Sequence, residues 1–375
     1  MPKILHIGDI HLDSPFSLFD VEKSSERRRE LRSTFSTVMM YAKMKGADLV
    51  IIAGDLFDSE FVTRETMSLI VSQFSALPSC RFVITPGNHD PAVAKSAYLK
   101  TKFPENVYVF TSENVERVCF DDIGVDVYGF AYVEEKYEQD PFAEEELVLD
   151  KEKINIFAAH ADIYSKNSTY CPMKPADFAA FGFDYAALGH IHAGGKIEKE
   201  MDTYYAYCGC PEGRSFDECG VKGGIFIDCE KRGGTFRAEF ETPRFCKRRY
   251  EKTEVDVSEK KTQEEAIAAI ADIVKEKGFG ADTLLRVKLC GVVTPDADFD
   301  EKNITAQDVG VFYIEVENCT LPLLDYGELE NDISIKGAVF RELLPRLESD
   351  DEKERKIASM ALKYALAALE GDEIK

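Results

Sequence analysis

Five of the six histidines in this chain lie close to an aspartate, an asparagine or another histidine, just after a short apolar run. In chain order the groups are Asp9 with His11, Asp55, the run of Asn88, His89 and Asp90, then His160, and last His190 with His192. Residues two apart in an extended segment point the same way, so an Asp-x-His or His-x-His pair presents two ligands to one side. Groups of this kind predict a site for divalent metal ions.

The mixture of carboxylate, amide and imidazole groups favours two ions of the manganese, iron or zinc type over calcium or a thiolate-bound zinc. Two such ions about 3.5–4 Å apart make a shared water acidic enough to attack phosphorus near neutral pH. One carboxylate has to bridge the ions. Asp55 is the candidate, because it is the one acidic residue of the set without a neighbouring ligand. The chemistry predicted from these residues is hydrolysis of a phosphoester.

The apolar runs before these groups predict the buried strands that would position them. They cover residues 3–7, 49–53, 82–85, 154–159 and 185–188. Apolar residues at helical spacing predict one helix over residues 24–45 and another over residues 63–77. Strands and helices that alternate in this way are typical of an α/β layered domain. A Glu-rich loop is expected over residues 130–150.

Glycine immediately precedes four of the groups, at positions 8, 54, 87 and 189. Because glycine has no Cβ, the chain can turn tightly there and the backbone can come close to a bound group. We therefore expect the site to lie on loops at the strand ends.

After residue 244 the pattern changes. A capping box of Thr262 and Glu265 predicts the start of a helix over residues 262–277. Strands are predicted over residues 253–257, 284–293 and 311–316, and two C-terminal helices are expected on either side of the charged residues 349–355. The predicted domains are a metal-site domain (1–245), a smaller α+β domain (246–334) and a C-terminal helical segment (335–375).

The 46 basic and 69 acidic side chains give the chain a net charge of −23, which excludes a strongly basic coat for nucleic acid. The acidity is uneven along the sequence. Residues 1–100 hold 12 basic and 12 acidic side chains and residues 151–250 hold 15 and 14, whereas residues 101–150 hold 3 and 14 and residues 251–375 hold 16 and 29. All the candidate ligands therefore lie in the two near-neutral blocks.

The N-terminus lacks the apolar core of a signal peptide, and no apolar run approaches the ~18 residues of a membrane span. The ten cysteines are therefore expected to be reduced thiols in a cytoplasmic protein. Four of them are spaced poorly for structural zinc: Cys208, Cys210, Cys219 and Cys229. We expect His6 to be a strand core residue, with a supporting role at the site as the lesser alternative, and Arg27 to Arg29 to be solvated on a helix face.

The five groups, in this order and with these separations, resemble the motifs of the calcineurin-like metallophosphoesterase superfamily. Residues 11–16, 187–192 and 213–216 further resemble SbcD-type DNA repair nucleases, and among these the bacterial YhaO-like exonuclease group. The resemblance covers residues 1–245 and, more loosely, the part that follows. It implies an α/β fold, a four-layer α-β-β-α sandwich of two mixed sheets with a smaller α+β capping domain and a C-terminal helical tail.

Carried over position by position, the resemblance implies two sets of metal ligands. The first set is Asp9, His11, Asp55 and His192, and the second is Asp55, Asn88, His160 and His190. His89 resembles the residue that contacts the phosphate and helps to protonate the leaving oxygen, and Asp90 resembles the carboxylate that orients it. The metals implied are Mn²⁺, with Fe, Zn or Mg as alternatives. The partners implied are DNA, hydrolysed at its ends, an SMC-like coiled-coil ATPase of the SbcC type, and a second copy of the chain.

Two other functions stay open at this point. One is hydrolysis of a cyclic nucleotide or another small phosphodiester, because the acidic charge weakens long-range attraction to DNA. The other is an inactive scaffold, which the complete ligand set disfavours. The sequence also departs from many relatives after His192, where Ala193, Gly194 and Gly195 replace polar or basic residues, and Ala161 follows His160 in place of a frequent glycine.

Overall fold

The computed structural model describes residues 1–59, 61–142, 147–294, 297–323 and 325–370. Residues 143–146 of the predicted Glu-rich loop and residues 371–375 of the predicted C-terminal segment lie outside the described residues. The chain forms two compact units, Met1–Arg249 and Tyr250–Lys375. No helix within the described ranges is long and apolar enough to cross a bilayer.

The first unit contains two six-stranded sheets. In chain order its elements are β1 (Lys3–Ile7), α1 (Val21–Lys45), β2 (Leu49–Ala53), α2 (Arg64–Ser75), β3 (Arg81–Thr85), α3 (Ala97–Lys100), β4 (Val107–Val109), β5 (Glu116–Phe120), β6 (Val125–Gly129), β7 (Ile154–His160), α4 (Pro175–Ala179), β8 (Tyr185–Gly189), β9 (Glu198–Glu200), β10 (Thr203–Tyr207), β11 (Ile225–Arg232) and β12 (Thr235–Glu241).

Both sheets are mixed. The first has the order β12-β11-β1-β2-β3-β4, in which β1 to β4 are parallel and β11 and β12 are antiparallel to their neighbours. The second has the order β5-β6-β7-β8-β10-β9, with a parallel centre from β6 to β10 and antiparallel edges. Parallel strands bring their carboxyl ends to one edge of a sheet, which is where ligands bind in such folds.

The sheets pack face to face between two outer layers. Apolar residues of the first sheet, such as Ile51 and Val83, pack with Ile156 and Ala187 of the second. Helices α1 and α2 cover the outer face of the first sheet. The short α4 covers the outer face of the second, where Phe178 joins a cluster of aromatic side chains. The predicted four-layer α-β-β-α sandwich is confirmed, with a thin fourth layer.

The predicted strands and helices of this unit are found, and their ends differ by a few residues. Helix α1 begins at Val21 rather than at residue 24, because the carboxylate of Asp20 accepts a hydrogen bond from Lys23 N at 2.8 Å and caps the helix. The prediction of a solvated Arg27 was wrong. Its side chain is fully buried and donates to Glu212 Oε1 and to the Gly213 carbonyl, each at 2.9 Å.

The second unit has a three-stranded sheet of order β13-β14-β16 and a helical end. Its elements are β13 (Arg249–Asp256), α5 (Gln263–Glu276), β14 (Thr283–Cys290), β15 (Val292–Val293), α6 (Glu301–Thr305), β16 (Tyr313–Asn318), β17 (Leu321–Pro322), α7 (Tyr326–Asn331), α8 (Ile335–Leu347) and α9 (Glu352–Glu370). The capping box of Thr262 and Glu265 is present at the start of α5.

Helices α8 and α9 pack on each other through Phe340, Leu362 and Leu366. Helix α9 begins at Glu352, inside the charged stretch that was expected to separate the helices. Acidic side chains in the first turn suit the positive end of the helix dipole, so this stretch can be helical although it is solvated. The division of this unit at residue 334 stays a prediction.

Candidate active site

The ends of five parallel strands bring most of the candidate residues together. Asp9 and His11 follow β1, and Asp55 follows β2. His160 is the last residue of β7, and His190 comes directly after β8. Asn88 and His89 follow β3 in the same way. Candidates far apart in sequence thus meet because the carboxyl ends of two facing sheets lie side by side.

Four of these residues have the left-handed backbone conformation that residues other than glycine rarely adopt. The φ angles are 48° at Asp9, 49° at His11, 49° at Asp55 and 100° at His190. Backbone hydrogen bonds hold these turns, among them Asp9 N to the Gly54 carbonyl at 3.1 Å. Strain of this kind persists only where the surrounding structure enforces it, and it is concentrated at functional sites.

Two of the glycines are required by close approach. A Cβ on Gly54 would lie 2.1 Å from His160 Nδ1, and Gly54 also has a φ of +86°. A Cβ on Gly87 would lie 2.2 Å from Asp55 Oδ1. Any larger residue at these positions would displace a candidate ligand, which explains why the sequence has glycine there.

His11 and His192 face each other through their Nε2 atoms, which lie 3.3 Å apart. Their other ring nitrogens face carboxylates. His192 Nδ1 is 2.7 Å from Glu218 Oε1, and His11 Nδ1 is 3.2 Å from Asp58 Oδ1 with poorer hydrogen-bond geometry. A carboxylate partner fixes the proton on Nδ1 and leaves a lone pair on Nε2. Two facing lone pairs repel, so this pair needs a proton or a metal ion between them.

His160 lies in a second group of acceptors. Its Nδ1 faces the Ala53 carbonyl at 3.1 Å, which places a proton on Nδ1. Its Nε2 lies 2.9 Å from Asn88 Oδ1 and 3.3 Å from Asp55 Oδ2. An imidazole lone pair, an amide oxygen and a carboxylate therefore converge, and again a cation would satisfy all three.

Asp9 and Asp55 are both buried among these histidines. Burial raises the pKa of Asp9, whose carboxylate accepts from His190 N at 3.1 Å. Burial also raises the pKa of Asp55, but His160 and His11 outweigh it and hold this pKa well below its ordinary value. Burial lowers the pKa of His160, yet Asp55 and Asp9 raise it to about 9. The carboxylates thus stabilise positive charge here.

The residues fit a site for two metal ions. Ligand atoms lie within 4.8 Å of one another in three groups: Asp9, His11 and His192; His11, Asp58 and His89; and Asp9, Asp55 and His160. Asp55 Oδ2 lies between the two facing sets, 3.6 Å from His11 Nε2 and 3.3 Å from His160 Nε2. This position suits Asp55 to the role of the carboxylate that bridges the two metal ions. His190 is outside these three groups, and its ring lies edge-on to that of His160 with the centroids 5.2 Å apart.

His89 lies exposed at the opening of the site. Its ring is 4.9 Å from that of His11, and its Nδ1 is 3.3 Å from the Asp58 carbonyl. Asp90 is placed differently from the expectation. Its carboxylate accepts from Gly87 N at 2.7 Å and from the Tyr98 hydroxyl at 2.5 Å, and none of its described hydrogen bonds reaches the His89 ring. Asp90 therefore holds the loop that carries His89, and its own pKa is raised to about 7 by burial and by Asp55.

Three residues were missed by the sequence analysis. Asp58 and Glu218 face the Nδ1 atoms of His11 and His192, and Arg214 joins them, donating to Asp58 Oδ1 at 2.5 Å and to Glu218 Oε1 at 3.1 Å. The arginine thus ties together the two carboxylates that orient the facing histidines. Arg214 lies in the motif at residues 213–216, and this was the one signal in the sequence that could have identified it.

The sequence matches the family described as "Calcineurin-like phosphoesterase" over residues 2–194. The chain belongs to this family. Calcineurin-like phosphoesterases use two metal ions, and the clustered histidines and aspartates fit such a pair. The protein is therefore a metal-dependent phosphoesterase, and the expected resemblance is confirmed.

Three relatives of this phosphoesterase are informative. It is 28% identical over 348 residues, 88% of this chain and 83% of the relative, to "Uncharacterized metallophosphoesterase YhaO" of Bacillus subtilis (strain 168). It is 27% identical to "DNA double-strand break repair protein Mre11" of Methanopyrus kandleri, over 64% of this chain and 56% of that protein. It is 25% identical to a component of the nuclease SbcCD of Staphylococcus saprophyticus, over 54% of this chain and 59% of that protein. The chain spans less than two thirds of the length of the Mre11 protein and of the SbcCD component.

Two further expectations for the phosphoesterase agree with the structure. His6 is fully buried in β1, with Nδ1 2.9 Å from the Tyr185 hydroxyl, and burial lowers its pKa to about 3. The ten cysteines are free thiols. Within the described ranges, no cluster of metal-binding side chains includes a cysteine.

Proposed function

We propose that this phosphoesterase hydrolyses DNA phosphodiester bonds at strand ends as a two-metal exonuclease. The observation that carries the two-metal part of the proposal is the convergence of acceptor atoms from the ends of β1, β2 and β7, with Asp55 Oδ2 between His11 Nε2 and His160 Nε2. The proposed first ligand set is Asp9, His11, Asp55 and His192, and the proposed second set is Asp55, Asn88, His160 and His190. We infer Mn²⁺ as the native metal from the resemblance to SbcD-type nucleases, with Fe, Zn or Mg as alternatives, because mixed nitrogen and oxygen ligands suit manganese, iron and zinc alike.

The chain's own residues would perform distinct tasks. The metal pair, when bound, supplies positive charge for the phosphate and an acidified water. His89 carries the proton for the leaving oxygen. Because its Nδ1 faces the Asp58 carbonyl, Nε2 is the nitrogen left to exchange that proton. Asp90 would act on His89 by fixing the loop between Gly87 and His89.

The choice of DNA is supported by the relatives. Two of the described relatives are a DNA double-strand break repair protein and a nuclease component. The test is a side-by-side assay with Mn²⁺ on end-labelled DNA, bis-p-nitrophenyl phosphate and cyclic nucleotides. Release of nucleotides from DNA ends supports the proposal. Hydrolysis of the small esters alone would contradict it.

A small phosphodiester is the second candidate substrate. The net charge of −23 favours it, because an acidic surface repels polyanions at long range. Selective turnover of a cyclic nucleotide in the same assay would support this alternative. A scaffold without activity is disfavoured, because each predicted ligand is present.

We further propose that α8 and α9 bind an SMC-like coiled-coil ATPase. On α9, Ile357, Met360 and Tyr364 are 58%, 46% and 41% exposed, and their spacing places them along one side of the helix. If the gene beside this chain's encodes a coiled-coil ATPase, the change Ile357→Glu with Tyr364→Glu should abolish its co-purification with this protein. Removal of residues 335–375 should do the same. Retention of the ATPase by both variants would contradict the proposal.

The remaining proposals concern the assembly. Residues 246–334 would serve as a capping domain. The protein would work as a homodimer in the cytoplasm. Light scattering of the purified protein tests the dimer. A measured mass equal to that of one chain would contradict it.

A further inference from the structure

Two open clefts border the candidate site in the first unit. The first has a volume of about 570 Å³ and is lined by His192, Lys222 and Arg244 together with several glycines. We call it the cationic cleft. The second has a volume of about 660 Å³ and is lined by Asn88, His89 and Phe61 among others. We call it the Phe61 cleft. Each cleft thus reaches a different part of the proposed metal site.

The cationic cleft holds two positive charges without a carboxylate. Among the described residues, no acidic side chain lines it. Lys222 is only 7% exposed, and its Nζ donates to the His192 carbonyl at 3.1 Å. In the described ranges of the chain, neither Lys222 nor Arg244 forms an ion pair with a carboxylate. A buried charge is costly unless an opposite charge balances it, so the cleft is suited to an anion.

The floor of this cleft is built from small residues. A Cβ on Gly194 would lie 2.2 Å from Gly209 N, so the two backbone segments touch and leave no room for side chains. Ala193, Gly194 and Gly195 line this cleft in sequence after His192. Because no large side chain projects from these three residues, backbone forms this part of the wall beside the two cations.

The Phe61 cleft has the opposite character. Its wall carries three carboxylates and the cation of Lys136. Asp58 is paired with Arg214, which leaves Glu134 and Glu135 against Lys136. Phe61 is 81% exposed there. Carboxylates disfavour a phosphate, whereas an exposed aromatic ring is a platform on which a nucleobase stacks.

We propose that the substrate strand lies across the site with its phosphates in the cationic cleft and its terminal base stacked on Phe61. The ligand class is therefore a single-stranded polynucleotide end. This inference rests on the proposed function and adds an orientation to it. It also explains how an acidic protein could hold DNA, because the attraction is confined to one cleft.

The first test is the salt dependence of DNA hydrolysis by Arg244→Gln. Arg237→Gln is the matched control, because Arg237 is also exposed and lines neither cleft. The slope of log(kcat/KM) against log[KCl] on a single-stranded oligonucleotide should become shallower by about 0.7, the value for one lost phosphate contact. The control should keep the wild-type slope. Equal slopes for all three proteins would overturn the cationic cleft.

The second test is Phe61→Ala on oligonucleotides with and without a terminal base. Loss of one stacked base should raise KM by about 5- to 150-fold. With an abasic terminal nucleotide, the wild type and the variant should have the same KM, and Phe61→Trp should restore the wild-type KM on the normal strand. A Phe61→Ala effect that persists on the abasic strand would overturn the base site. Failure of the proposed function is distinguishable, because the wild type would then not hydrolyse DNA at all.

Discussion

Glu218→Gln removes one charge from the residue that orients His192 while it keeps the size of the side chain. Glu218 is buried, with Oε1 2.7 Å from His192 Nδ1 and 3.1 Å from the guanidinium of Arg214. A hydrogen bond to a charged group is worth about 1.5–3 kcal/mol, and one between neutral groups about 0.5–1.5 kcal/mol. The difference of about 1–1.5 kcal/mol corresponds to about tenfold in affinity. Carboxylates behind metal-binding histidines have effects of this size.

The assay is a calorimetric titration of metal-free protein with Mn²⁺. We expect two sites, one of which binds about tenfold more weakly in Glu218→Gln while the other keeps its affinity. Excess Mn²⁺ should restore hydrolysis of bis-p-nitrophenyl phosphate. The control is Glu30→Gln, which alters another carboxylate paired with arginines but away from the site. If Glu218→Gln binds Mn²⁺ with wild-type affinity at both sites, the reasoning is refuted. An equal loss of affinity at both sites together with a lower Tm would also refute it.

Three further changes test other contacts. Glu30→Gln removes the charge but keeps an acceptor for the arginines, so it should cost about 1–1.5 kcal/mol of unfolding free energy at pH 7. Burial raises the pKa of Glu30, but Arg248 and Arg27 lower it further. This stabilisation is therefore present above the ordinary pKa and is lost as the pH falls through the folded pKa, so urea unfolding at about pH 3.5 should give a smaller difference. Gly87→Ala should reduce activity far more than stability, because its Cβ would lie 2.2 Å from Asp55 Oδ1. His89→Ala should slow DNA hydrolysis by about 10²- to 10⁴-fold, and should slow bis-p-nitrophenyl phosphate hydrolysis less, because p-nitrophenolate leaves without a proton.

Each of these three predictions can be contradicted by a specific result. An unfolding free energy difference for Glu30→Gln that is the same at both pH values would exclude the ion-pair explanation. Gly280→Ala is the control for the glycine, because the nearest atom to its Cβ would be 3.7 Å away. Wild-type activity of Gly87→Ala would show that Asp55 tolerates displacement. Equal losses on both esters in His89→Ala would argue against proton transfer.

The strands and candidate ligands were predictable because they depend on local patterns. A buried parallel strand is a short apolar run, and the groups after it, such as Asp55 and His160, stand out by residue type. Helix ends were less predictable. The cap at Asp20 is a single side-chain contact that periodicity does not register, and α9 begins within charged residues because they are solvated.

The residues that orient the histidines could not be predicted either, and the reason is a different one. Asp58 and Glu218 are common acidic residues, and their role comes only from tertiary contacts that bring them to Arg214. Arg27 illustrates the same limit. In sequence it resembles its solvated neighbours, and only the fold shows that it is buried against Glu212.

The most direct measurement is the time course of nucleotide release from end-labelled DNA by metal-free protein to which Mn²⁺ is added back. We predict release that requires Mn²⁺ and stops with a chelator, and its loss in Asp55→Ala, which removes the carboxylate between the two groups of acceptors. The variant should still fold, as shown by an unchanged circular dichroism spectrum. DNA hydrolysis that persists in Asp55→Ala, or none by the Mn²⁺-loaded wild type, would contradict the account.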